Sequence, residues 1–164
     1  MLAAFVFAQN AIANSAPATA PAEFQAGVFK TMFNVDIKDD LAECFIPDQE
    51  LSDHIDTFIK DLAAKDYKSL VELVKEDEEM IQKDGAPCLD NPNVAAAYKM
   101  QRDLEKKAES DPDWKKHALA SILPRRKEIE AAIPKGIEQW NSGDYYGAGV
   151  TVGEVDAILY SYWM

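Results

Sequence analysis

Only two histidines and two cysteines occur in these 164 residues, and that scarcity narrows the chemistry at once. Structural zinc sites are built mainly from cysteine and histidine, and two distant histidines with two cysteines that read as a disulfide do not make a tetrahedral set. Positive charge is also short, with 17 lysines and arginines against 29 acids and a formal net charge of −12. Such a surface repels phosphate backbones and anionic lipid, so no nucleic-acid partner is expected. Long apolar runs are missing as well. The run Leu2–Ala8 is far below the roughly 20 residues that span a bilayer, and no later stretch qualifies, so no transmembrane segment is expected. No Asn-x-Ser/Thr sequon occurs, because Asn14-Ser15-Ala16 and Asn141-Ser142-Gly143 both fail at the third position. The spacing Gly147-x-Gly149-x-x-x-Gly153 is wrong for a phosphate-cradling loop.

What is present begins with an unusual opening. Met1 to Ala13 carries no charge, and small residues follow it. Ala11-Ile12-Ala13 and Ala18-Thr19-Ala20 both fit the cleavage pattern of an export signal, although the usual positive start is absent. Residues 1–20 therefore read as a signal peptide or as a disordered leader, and residues 21–164 as a single helical domain. Cys44 and Cys88 are the whole cysteine complement. A lone pair behind a possible export signal reads as one disulfide and an oxidising setting, secreted, extracellular or lumenal, with some other oxidising compartment as the alternative.

The apolar pattern is helical nearly throughout. Phe24, Val28, Phe29, Met32 and Phe33 give a first stripe, and Asp39 or Asp40 could cap a short turn through Leu41 and Cys44. Asp48 caps a second stripe of Leu51, Ile55, Phe58, Ile59 and Leu62. Tyr67, Leu70, Val71, Val74 and Ile81 form a third, which ends at Gly85-Ala86-Pro87. A very short connection makes these two helices antiparallel, which returns Cys88 to the neighbourhood of Cys44. Asn93 caps the next helix, which carries Val94, Ala97, Tyr98 and Leu104 inward. A further pattern from Trp114 to Trp140 contains Pro124 and Pro134, so a kink or break is expected near one of them. The last segment keeps a helical period through Tyr145, Ala148, Gly149, Val152 and Ile158 despite its glycines. The expected fold class is all-α, a compact bundle of about five or six helices with one disulfide, Cys44–Cys88.

Candidate sites are few. His54 lies between Asp53 and Asp56, and His117 follows two lysines, with nothing in the sequence to place a nucleophile beside either. The acids at Asp39-Asp40 and Glu76–Glu79 lack the spacing and the glycine of a calcium loop. No catalytic residue, no cofactor and no metal ligand is assigned. Gly149 and Gly153, four apart, share one helix face and would let another backbone approach closely. Tyr146, Tyr160 and Trp163 belong to a C-terminal excess of aromatics that could form an interaction surface.

The leader, Phe24-Gln25-Ala26-Gly27-Val28-Phe29, the bracketing cysteines and Asp144-Tyr145-Tyr146-Gly147-Ala148-Gly149 together give a layout that resembles uncharacterised small secreted helical proteins common in ciliated protists. The resemblance implies export and an all-α fold, nothing catalytic, and carries no functional residue across. The expected function is that of a secreted or lumenal non-catalytic protein, acting in binding or as a structural or interaction module. The alternative is a carrier of a small apolar ligand or lipid within the bundle. The partner is accordingly an unknown protein or a small apolar ligand. An enzyme is the least favoured class.

Overall fold

A computed structural model describes residues 16–64 and 80–164. The third stripe, Tyr67 to Val74, the side chains of Phe58 and Leu62, the acids Glu76–Glu79 and the first 15 residues lie outside the described residues. Helix α1 spans Ala20–Phe33 with Pro21 in its first turn, where a missing N–H costs nothing. Asn34 ends it at φ 55°, the left-handed conformation that asparagine tolerates best after glycine. Helix α2 is short, Lys38–Cys44, and α3 spans Gln49–Ala64. The Asp48 carboxylate caps α3 by accepting from the amides of Glu50 at 2.8 Å and Leu51 at 3.3 Å.

Residues 80–85 are helical and pass into a 3₁₀ turn, Ala86–Asp90. Helix α4 follows, Pro92–Glu109, capped by Asn91. The cap lies two residues before the expected Asn93, because Pro92 occupies the first turn. The Asn91 side chain therefore accepts from the Asn93 and Val94 amides.

The Trp114–Trp140 pattern breaks at the first of its two prolines. Helix α5 spans Trp114–Ile122, a 3₁₀ turn covers Leu123–Arg125, and α6 spans Arg126–Asn141 with Pro134 accommodated inside it. That break splits the pattern in two, so seven α-helices, α1 to α7, lie among the described residues beside the helical stretch at 80–85. Helix α7, Tyr145–Leu159, is capped by Asp144, whose carboxylate accepts from the Gly147 amide at 2.9 Å. Among the described residues there is no strand, and the chain is an all-α bundle with one disulfide.

Two contacts organise the bundle. Cys44 and Cys88 are bonded, with Cα atoms 5.0 Å apart. Beside them the Ile46 amide donates to the Asp84 carbonyl at 3.1 Å, so the chain does return on itself across the bridge. Elsewhere α1 packs most extensively against α7, with α6 on the other side of α7. Glycines make the first of these crossings possible. A Cβ on Gly149 would overlap the Phe24 carbonyl oxygen, one on Gly27 the Tyr146 carbonyl, and one on Gly153 would come within 3.0 Å of the Val28 carbonyl. The helices meet backbone to backbone, and burial of Ala20, Ala26 and Ala148 around the crossing completes a close contact.

The packed region reaches back before α1. Ala16 is buried. Its N–H donates to Asp56 Oδ2 at 3.0 Å, and its carbonyl accepts from Ser52 Oγ and Gln49 Nε2. Asp56 also accepts from Trp140 Nε1 at 2.5 Å, so one carboxylate ties residue 16, α3 and α6 together. Trp140 is buried and meets Phe24 and Tyr145 edge to face, with ring centres 5.7 and 4.9 Å away.

Candidate ligand cleft

The seam between α1 and α7 sets one wall of a cleft of about 350 Å³. Because the two backbones touch, Phe24, Val28 and Met32 of α1 stand beside Val152 and Leu159 of α7. Leu104 of α4 and Ile55 of α3 supply the facing apolar surface. Polar groups on the cleft are few and come from three helices: Gln25, Gln101 with Glu105, and Asp156. A mostly apolar hollow between helices with a few convergent polar groups is the usual form of a small-molecule site.

The polar groups are not equivalent. Gln25 is buried and donates from Nε2 to Gln101 Oε1 at 3.5 Å; Gln101 Nε2 in turn donates to Glu105 Oε1 at 2.8 Å. Asp156 has no such support. No hydrogen bond or ion pair reaches its carboxylate, and removal from water pushes its carboxyl up to about 7. No lysine, arginine or histidine lines this cleft among the described residues. A second hollow of about 250 Å³ shares Gln25, Ile81, Gln101 and Glu105 with the first. Tyr98 lines it; its buried hydroxyl has no hydrogen-bond partner, and burial pushes it up to about 12.

The residues singled out in the sequence are distributed over three places. Cys44 and Cys88 close the stapled end. Gly149 and Gly153 lie in the α1–α7 seam together with Gly27, which sequence reasoning did not assign to it. Of the three aromatics, Tyr160 and Trp163 meet edge to face with ring centres 6.1 Å apart, while Tyr146 has a different neighbour. Tyr146, at the start of α7, lies under Lys38 Nζ at 5.0 Å from its ring centre. Tyr160 lines the cleft, and Trp163 is half-buried with Nε1 donating to Asp111 Oδ2 at 3.0 Å. Exposure falls instead on Tyr162, Trp114, Leu119 and Leu123, the last at 66%.

The histidines play plain parts. His54 is half-buried on α3. His117 Nδ1 pairs with Asp111 Oδ2 at 2.7 Å, and its ring stacks on Tyr162 at 3.8 Å. That hydrogen bond holds the Asp111 carboxyl below its ordinary value. An aspartate that orients a histidine is half of a catalytic relay, but no hydroxyl or thiol bonds to His117. Ser121, one turn on, accepts instead from Ser161 at 3.1 Å. The cluster fastens the C-terminus to α5.

At the stapled end Asp84 is 1% exposed and lies beside Asp48. Burial raises the Asp84 carboxyl, and the Asp48 charge and a hydrogen bond from Asp84 to Asp48 raise it further. Asp48 is pushed up by burial but pulled below its ordinary value by the Leu51 and Glu50 amides, by Asp84 and by Lys83. Among the described residues no group of three or more His, Cys, Asp or Glu side chains could hold a metal ion, and no helix is long and apolar enough to cross a membrane. No family model, no curated protein and no solved structure matches this chain.

Proposed function

We propose that this protein is a secreted or lumenal, non-catalytic binding protein that carries a small apolar ligand between α1, α4 and α7. The observation that supports this most is the 350 Å³ cleft itself: its walls are aliphatic and aromatic, and its polar groups are few. Calorimetric titration with octanol tests the reading. Saturable binding is expected for the wild type, and its loss in Leu104→Trp, which fills the cleft. No saturable binding to the wild type would overturn it.

Export is supported by the disulfide, which persists in oxidising compartments. Of the two cleavage patterns, the one ending at Ala13 fits the fold better. Cleavage after Ala20 would remove Ala16 and its bonds to Asp56, Ser52 and Gln49, whereas cleavage after Ala13 keeps them. N-terminal sequencing of the mature protein is expected to begin at Asn14, and a start at Pro21 would contradict this.

A second reading, a module that docks another protein, is supported by the exposed Trp114, Leu119, Leu123 and Tyr162 around α5 and the C-terminus. Concentration-dependent self-association or partner capture that is lost in Leu119→Glu, with the octanol site unoccupied, would favour it over the carrier.

A further inference from the structure

We infer that the ligand of this cleft is a hydrophobic amine, its aliphatic or aromatic body among Phe24, Val28, Leu104 and Val152 and its ammonium on the Asp156 carboxylate. The inference rests on the reading of the cleft as a ligand site and adds the charge of what fills it. Two acids, Asp156 from α7 and Glu105 from α4, line the same apolar hollow, and among the described residues no basic side chain there answers them. Glu105 already accepts from Gln101, which leaves Asp156 as the carboxylate without a partner. An ionised carboxylate in apolar surroundings is costly unless paired, and an ammonium donor repays that cost.

Other cations fit less well. Calcium takes six to eight oxygens, and magnesium a near-ideal octahedron, which one free carboxylate among apolar walls cannot provide. A carboxylate ligand would meet like charge from both acids. The rings of Phe24 and Tyr160 on the same walls add faces that attract an ammonium. Among the described residues the titratable side chains lining the hollow are Asp156 from α7, Tyr160 just past its end and Glu105 from α4, with no base among them.

The test compares three probes of equal chain length, octylamine, octanol and octanoate, by calorimetry on the intact oxidised protein. At pH 8, above the value of about 7 for Asp156, octylamine is expected to bind about tenfold tighter than octanol, with octanoate weakest. Lowering the pH to 5 protonates Asp156 and is expected to weaken octylamine by about tenfold while leaving octanol unchanged. In Asp156→Asn, octylamine should fall to the octanol level with no change for octanol. Equal binding of octylamine and octanol, or a preference for octanoate, would overturn the amine and leave the apolar site standing. Retention of the octylamine preference by Asp156→Asn would also overturn it. Failure of all three probes to bind would overturn both.

Discussion

The stapled end and the glycine seam solve the same problem, holding distant segments together, by opposite means. At the staple the chain is fixed by a covalent bond and by polar side chains. Asp48 caps α3, the buried Asp84 carboxyl beside it is raised by burial and by the Asp48 charge, and Asp40 accepts from the side-chain Nδ2 of Asn91 and Asn93 at 2.8 and 3.3 Å. Such a junction responds to reductant and to pH. At the seam the contact is made by what is missing, since the absence of three Cβ atoms brings two backbones into touch. The glycine contact itself contains no thiol and no titratable group, so added volume is what disturbs it. The cleft depends on both, because the seam sets its α1–α7 wall and the staple holds the segment carrying Ile81 near it.

The largest expected effect separates the two ends. Reduction, or Cys44→Ser with Cys88→Ser, opens a loop of 44 residues. That should cost up to about 4 kcal/mol by the chain-entropy relation, read as a lower thermal midpoint under reductant. A midpoint indifferent to reductant would show that the polar contacts suffice at this end. Next is Gly149→Ala, whose added methyl meets the Phe24 carbonyl. A loss of about 3 kcal/mol in denaturant unfolding is expected, present equally with and without reductant. Dependence of that loss on reductant would mean the two junctions are coupled.

Asp156 sharpens the comparison through pH. Its carboxyl holds its proton more tightly in the folded chain, at about 7, than the ordinary value of 3.8. Folding is therefore favoured while the group is protonated in both states, and stability is lost as the pH rises from about 4 through 7. Asp156→Asn should remove that decline and gain on the order of 2 kcal/mol at pH 8, as seen in unfolding midpoints across pH. An unchanged pH profile would contradict the enclosure of this carboxyl. The smallest effect is Gly136→Ala on α6. Its Cβ would lie 3.5 Å from Thr151 Cγ2, an ordinary contact, so helix propensity should win by about 0.5–1 kcal/mol. A marked loss there would show that close backbone approach extends to α6.

Much of this layout can be read from the residues alone. Helical periodicity, the Asp48 cap and the pairing of the two cysteines are legible, and Pro124 and Pro134 both offer a break; the residues alone do not choose between them, and the fold breaks at Pro124. Other parts leave no local trace. Gly27 stands in a short helix rich in small residues, where one glycine carries no periodic signal, and its role exists only once α7 lies on it. Asp156 reads as an ordinary solvated acid between Val155 and Ala157; its isolation comes from α1 and α4, far away in sequence. The cleft combines four helices, so no window of the sequence contains it. Tyr146, Tyr160 and Trp163 look alike in composition, yet Tyr146 lies under Lys38 at the start of α7, whereas Tyr160 and Trp163 meet each other beyond its end.

The carrier reading is tested most directly by following methyl resonances during titration of the oxidised protein with octanol. Saturable shifts are expected at Val28, Leu104, Val152 and Leu159, which line the cleft, with Leu119 and Leu123 on the exposed α5 side unmoved. Shifts confined to Leu119 and Leu123, or none at any of the six, would contradict a ligand between α1, α4 and α7.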